Sequence, residues 1–376
     1  MRILIFNWQD IRNPLAGGAE VHLHEVFSRI AAMGNEVTLF CSSFEGGKPE
    51  ETLNGIRVIR QGGRYLFNFR VPLQYFKMRH RGEYDIVIDD MNKIPFFTPL
   101  FVREPLYVIT HHLFKKSIFL EVPFPLAMYV YVMEKAGFSL CKSRRVPFIV
   151  GSPSTKSELM EIGLPAEDIE IINYCVDHSI HRPDASARSR TPLIGYFGRL
   201  KKYKSIEQLL HAFRVVKESV PELSLVVVGE GDDRGSLEAL SESLGLSEAV
   251  RFTGFVDEQE KVRWLQKVWF SVNTSSKEGW GLTVIEANAC ATTVVASDVP
   301  GLRDAVKNND TGLLYTYGDV QGLAGKILLL LNDEALRKRL AEAAVRWAMT
   351  FDWDVAAKRT VQLLQRRARA PRTNFW

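Results

Sequence analysis

The sequence predicts an α/β protein of two doubly wound, Rossmann-like domains facing across a cleft, with a helical C-terminal tail. Three observations carry this. Apolar runs of strand length alternate with helix-period segments, the pattern of a parallel sheet covered on both faces. A polar, Pro- and Ser-containing break at 177–192 interrupts the alternation, which then restarts. The 376 residues suit two domains at roughly 100–200 residues each. The expected bounds are 1–180 for an acceptor-side domain and 190–350 for a nucleotide-sugar domain. Residues 351–376 are expected to form a C-terminal helix packing back on the first domain.

In order along the chain, Ile3-Leu4-Ile5-Phe6 reads as a buried strand. Leu23, Val26, Phe27 and Ile30 recur at helical spacing, so a helix is expected over Ala19–Met33, stopped by Gly34. Further strands are expected at 37–40, 56–59, 85–88, 107–110 and 148–150. After the break come a strand at 193–197, a helix at 206–219 and a strand at 223–228. Strands at 250–255, 270–273 and 294–296 follow, with helices near 235–243, 257–268 and 282–290. The tail from 333 to about 369 reads as helical, broken near Phe351-Asp352-Trp353.

Bulk properties exclude some classes. A net charge of +4 is too small to predict a nucleic-acid partner. Cys41, Cys141, Cys175 and Cys290 are scattered, which argues against a disulfide framework or a zinc site. No apolar stretch reaches the ~18–20 residues of a spanning helix, and no secretory signal is visible. A cytoplasmic protein, on its own or peripheral on the inner membrane face, is expected.

In doubly wound domains ligands sit beyond the carboxyl ends of strands, so the loops there are where chemistry is sought. Glu278-Gly279-Trp280-Gly281-Leu282-Thr283-Val284-Ile285-Glu286 sets two carboxylates eight positions apart around a glycine turn that opens a helix. Free N–H groups at that helix start suit a phosphate, and the carboxylates suit sugar hydroxyls. Gly198-Arg199-Leu200-Lys201-Lys202-Tyr203-Lys204 follows a strand and offers two cations for a diphosphate. Gly17-Gly18-Ala19-Glu20 is a second glycine turn opening a helix, without the dinucleotide fingerprint. Thr110-His111-His112 ends a strand of the first half. Trp280 reads as packing or as a sugar-stacking ring, and packing is favoured. Asp352-Trp353-Asp354 spells a metal–nucleotide motif but stands at a helix start, where Asp is an ordinary cap.

These motifs resemble retaining glycosyltransferase family 4, of GT-B fold. Glu278 and Glu286 match its E-x7-E motif, and Arg199 and Lys204 its G-R-L-x3-K element. Val299–Asp304, Thr311–Leu314 and Ser152–Lys156 resemble further family segments. The resemblance implies a hexosyltransferase that retains anomeric configuration, needs no metal or cofactor and uses a nucleoside-diphosphate sugar as co-substrate. It implies Glu278 at the reacting sugar, with His112 or His111 as the first-domain histidine and His112 favoured. It implies donor binding by Gly17, Gly18, Arg199, Lys204, Gly281, Leu282, Thr283 and Glu286, with Glu286 on the ribose. The acceptor is expected to be a glycan or a lipid-linked glycan. Ala291, Thr293 and Ser205 depart from family glycine, proline and glycine positions, and Asn173-Tyr174-Cys175-Val176-Asp177 departs from its N-G-V-D element. None of these removes a charged group. A nucleotide-sugar epimerase, a phosphorylase and a non-catalytic partner subunit are the competing readings.

One stretch bears on partners. Arg64-Tyr65-Leu66-Phe67-Asn68-Phe69-Arg70 and Tyr75-Phe76-Lys77-Met78-Arg79-His80-Arg81 interleave aromatics with cations. An anionic membrane surface is a candidate partner there, against an amphipathic helix packed on the core.

Overall fold

The computed structural model describes residues 1–63, 66–81, 84–91, 94–120 and 122–369. Of the basic-aromatic stretch, Arg64, Tyr65 and the side chains of His80 and Arg81 lie outside the described residues, as does the tail beyond 369. The chain divides into two compact units, one of Met1–Tyr174 with Trp353–Trp376 and one of Cys175–Asp352.

The first unit runs β1 (Arg2–Phe6), α1 (Gly18–Ala32), β2 (Glu36–Cys41), β3 (Glu50–Leu53), β4 (Ile56–Arg60), α2 (Phe67–Arg81), β5 (Ile86–Met91), β6 (Leu106–Thr110), α3 (Phe124–Ser143), β7 (Phe148–Val150), α4 (Pro153–Glu161) and β8 (Ile169–Ile171). The sheet order is β3-β4-β2-β1-β5-β6-β7-β8, parallel except for the β3–β4 pair. Ile3–Phe6 of β1 and Ile86–Ile88 of β5 read as apolar runs because both sheet faces are covered. α1 stops where Gly34 takes a left-handed φ of +85° and its N–H bonds Ala31 O at 2.9 Å.

The second unit runs β9 (Leu193–Phe197), α5 (Ile206–Ser219), β10 (Ser224–Val228), α6 (Arg234–Ser243), β11 (Val250–Gly254), α7 (Glu258–Lys267), β12 (Phe270–Asn273), α8 (Leu282–Ala289), β13 (Val294–Ser297), α9 (Leu302–Ala305), β14 (Gly312–Tyr315), α10 (Val320–Asn332) and α11 (Glu334–Ala348). α12 (Trp353–Arg369) follows and belongs to the first unit. The sheet is all parallel in the order β11-β10-β9-β12-β13-β14, so the winding reverses between β9 and β12. α5 buries Ile206, Leu209, Leu210, Phe213 and Val216 into the core under this sheet.

Segment 177–192 is tied to the second unit. Gln266 donates to Arg182 O at 2.8 Å, Arg188 donates to Ala291 O at 2.8 Å, and Trp269 Nε1 donates to Ser189 O at 2.8 Å. It reads as a polar break because backbone carbonyls and side-chain donors, not apolar faces, hold it.

Two family departures have a backbone meaning. Ser205 and Ala291, which stand at family glycine positions, adopt φ of +50° and +56°. A side chain there costs roughly 1–2 kcal/mol. Ser205 gains a 2.9 Å bond between its hydroxyl and that of Tyr317, whereas Ala291 has nothing comparable. Ala291→Gly is therefore expected to raise the unfolding free energy by about 1 kcal/mol after the extra freedom of the unfolded chain is deducted. A denaturant titration that shows no rise in midpoint would contradict this.

Candidate functional site

The reversal between β9 and β12 places two loops side by side in the second unit, 198–205 after β9 and 274–281 after β12. They are stitched together. Ser276 N donates to Tyr203 O at 2.8 Å, and Thr274 Oγ1 donates to Lys204 O at 2.9 Å. Lys204 Nζ bonds Glu278 Oε1, which also accepts from Ser275 Oγ at 2.7 Å. Ser275 O in turn accepts from Ser297 Oγ at 2.5 Å, tying the loop to the end of β13. Burial works against the Lys204 charge, but the Glu278 carboxylate outweighs it and holds the ammonium above its ordinary range.

Glycines let the loops close. At Gly301, φ +83°, a Cβ would lie 2.2 Å from Glu278 O, so that turn presses directly on the Glu278 backbone. A Cβ on Gly229 would lie 1.9 Å from Gly198 O, so the β10–α6 turn lies flush under the loop that carries Arg199. Arg199 itself is exposed and makes no ion pair among the described residues. Gly281, φ +86°, caps α8, with Leu282 and Thr283 half-buried at its first turn. Trp280 is buried with its ring 5.1 Å from that of Phe351, which makes it a packing residue.

Glu286 lies one turn further along α8 and is buried. Its Oε1 is 3.0 Å from Lys261 Nζ, and its Oε2 has no hydrogen-bond partner among the described residues. Such an orphaned carboxylate oxygen is costly unless something donates to it. His181, Glu258 and Glu286 bring ligand atoms within 4.8 Å of one another. Lys261 Nζ, 2.9 Å from Glu258 and 3.0 Å from Glu286, already supplies the positive charge there.

In the first unit, Gly17 caps α1 and its N–H donates to Glu20 Oε2 at 2.8 Å. A Cβ on Gly18 would meet nothing within 4 Å. His111 is buried after β6, its Nε2 2.6 Å from Asp90 Oδ1 and its Nδ1 bonded to Tyr174. Burial opposes its protonation, but Asp90 and Glu20 outweigh that and raise its pKa. Tyr174 stacks on His22 at 4.3 Å. Burial, with His111 nearby, pushes His22 down to about 3, so it is a neutral ring. His112 is half-buried, 4.4 Å from the Phe114 ring. The structure thus separates the adjacent histidines: His111 has both nitrogens engaged within the unit. Asp354 of the D-x-D stretch pairs with Arg29 at 2.7 Å.

Within the second unit Arg199, Lys204, Glu278 and Gly281 lie on the two loops at the winding reversal, and Leu282, Thr283 and Glu286 on α8, which the second loop opens. Gly17, Gly18, His111 and His112 belong to the first unit. Lys261, Asp90 and Tyr174 join the expected residues through their contacts. No local motif marks them, because each is defined by its partner across the fold.

Comparisons with known proteins fit this geometry. The family model for glycosyl transferases group 1 matches residues 177–347, and that for glycosyltransferase family 4 matches residues 16–180. A glycogen synthase of Mycobacterium tuberculosis is 27% identical, covering 96% of this chain and 94% of its own. Among solved structures, a sucrose-phosphate synthase from Thermosynechococcus elongatus superposes with a TM-score of 0.81 at 22% identity, over 97% of this chain and 98% of its own. Anabaena HepE, solved in complex with UDP-glucose, gives 0.79 at 19% identity, over 97% and 100%. These likenesses establish the GT-B fold.

Proposed function

We infer that this chain, which belongs to the glycosyltransferases of family 4 and group 1, moves a hexose-type sugar from a nucleoside-diphosphate sugar to an acceptor hydroxyl with retention and without a metal. The observation that carries the reading is the joined pair of loops at the β9/β12 reversal. There, Lys204 bonds Glu278, Arg199 stands on the same loop as Lys204, and α8 carries Glu286, whose buried Oε2 has no partner among the described residues. The UDP-glucose complex of a GT-B neighbour makes a UDP-sugar the first donor to try.

The roles follow from chemistry. Arg199, Lys204 and the N–H groups of Leu282 and Thr283 stabilise the charge that grows on the leaving diphosphate. Glu286 Oε2 accepts from the ribose hydroxyls. Glu278 accepts from the sugar hydroxyls and keeps Lys204 aimed. The anomeric C–O bond to the diphosphate breaks, a C–O bond to the acceptor oxygen forms on the same face, and the acceptor proton passes to a departing phosphate oxygen. In the first unit, Gly17 and Gly18 are assigned to the donor phosphate. His112 is assigned to the reacting sugar, with His111 holding the backbone beneath it. A glycan or lipid-linked glycan is the proposed acceptor.

Thermal unfolding against a panel of nucleoside diphosphates and nucleotide sugars, in chelator and in magnesium, tests this. One nucleotide series should raise the midpoint equally in both buffers, by an amount set by concentration over Kd. Glu286→Ala should remove the shift. A shift that appears only with magnesium overturns the metal-free reading, and no shift with any nucleotide overturns the donor site.

A further inference from the structure

α2 and α3 lie on the same face of the first sheet. Phe67, Val71, Tyr75 and Met78 of α2 share one core with Phe138 and Cys141 of α3, beneath Leu4 and Phe6 of β1. Both helices also meet at Pro95. Asn68 donates to Pro95 O at 3.0 Å, and a Cβ on Gly137 would lie 2.4 Å from Pro95 Cγ. Ile94, next to Pro95, packs on the cluster that holds Ala127 and Val130, so the start of α2 and the first half of α3 lie near one another.

The outer surface of the two helices is apolar where solvent-facing helix sides are ordinarily polar. On α2, Phe69, Leu73 and Phe76 recur at i, i+4 and i+7, and Phe69 is 72% and Leu73 61% exposed. On α3, Phe124, Met128 and Val132 recur at i, i+4 and i+8, and Phe124 is 68% exposed. Two stripes of large side chains on adjacent helices exceed the scattered apolar exposure of an ordinary surface.

The exposed charges on α2 and α3, among the described residues, have one sign. α2 contains no acidic residue, and Arg70 and Lys77 are exposed and unpaired among the described residues. The only carboxylate of α3, Glu134, is buried and accepts from the backbone N–H groups of Phe114 and Lys115 at 2.7 and 2.8 Å. Lys116 and Lys135 are exposed nearby. Aromatic and aliphatic side chains flanked by uncompensated cations match a surface with an apolar interior and anionic headgroups. Among the described residues no helix is long and apolar enough to cross a membrane, so this is attachment to one face.

We propose that the outer face of α2 and the first half of α3 docks on an anionic lipid bilayer, the stripes entering the headgroup boundary and Arg70, Lys77 and Lys135 meeting lipid phosphates. This does not depend on the identity of the donor.

Flotation of the full chain with phosphatidylcholine vesicles, with and without phosphatidylglycerol, tests it. The protein should float with the anionic vesicles and remain behind with the neutral ones. The triple variant Phe69→Ser/Leu73→Ser/Phe124→Ser should lower the partition coefficient by more than roughly tenfold. Arg70→Gln/Lys77→Gln should lower it roughly fivefold per cation removed. Because all five side chains are exposed, melting midpoints should match the parent and show that the variants fold. Unchanged binding by the triple variant overturns the proposal, as does failure of the parent to float. Concentration-dependent self-association that the triple variant abolishes, with no flotation, would assign the face to a second copy instead.

Discussion

Replacing Lys204 by alanine is expected to cut kcat by roughly 10²–10³-fold, the scale of losing one preorganised charge at a developing anion. Arg199→Ala is expected to do the same to kcat while differing in every structural readout. Arg199 is exposed and unpaired among the described residues, so its loss should leave the unfolding midpoint unchanged. Lys204 is mostly buried against Glu278, their side chains 13% and 15% exposed. Its removal strands a carboxylate that, among the described residues, retains only Ser275, costing about 1–3 kcal/mol of stability. Lys204→Ala/Glu278→Gln should recover much of that stability and none of the rate. Denaturant titration and initial rates on the four proteins separate the two roles. Equal stability losses for Arg199→Ala and Lys204→Ala would contradict the burial argument. A normal rate for both would remove the diphosphate assignment.

Arg60→Met is expected to destabilise the first unit by about 3–5 kcal/mol. Arg60 is wholly buried on β4, with Nε 2.7 Å and Nη2 2.8 Å from the two oxygens of Asp10, itself 1% exposed. Its Nη1 donates to Glu51 at 2.6 Å and to Lys48 O at 2.8 Å. Methionine fills much of the volume but leaves Asp10 charged and buried. Burial alone would raise the Asp10 pKa, but the Arg60 pairing and the Arg12 N–H outweigh it, and the carboxyl titrates below its ordinary range. A depressed folded pKa means stability that is fully present above the unfolded value near ~4 and lost as pH falls through the folded one. In Arg60→Met that dependence should reverse, the protein gaining stability on mild acidification as Asp10 is protonated. Unfolding midpoints from neutral pH down to about pH 4 check both parts, and a parent whose midpoint rises on acidification would contradict the sign.

Local pattern carried much of the architecture. Buried parallel strands such as Phe148–Val150 and, within β10, Leu225–Val228 are continuous apolar runs, and α5 repeats its core positions at helical spacing, so both are legible one segment at a time. β3, β8 and β14 lie outside the strands expected from the sequence. β3 and β8 are short pieces with polar residues in them, and their pairing partners make them strands. The family motifs made Arg199, Lys204, Glu278 and Glu286 candidates because their spacing around glycines is itself local information.

The sequence by itself determined the two doubly wound units, the family and the residue types available to a diphosphate and a sugar. Only the tertiary structure decided who meets whom. Lys204 finds Glu278 across 74 positions because β9 and β12 adjoin at the winding reversal. Arg60 finds Asp10 across 50 because β4 and the loop after β1 share one end of a sheet. His111 is fixed in its unit because Asp90 and Tyr174, distant in sequence, reach its two ring nitrogens. The apolar stripes on α2 and α3 could have faced a core or a solvent. Periodicity states that a helix has two faces, and only packing against the sheet decides which one is left uncovered.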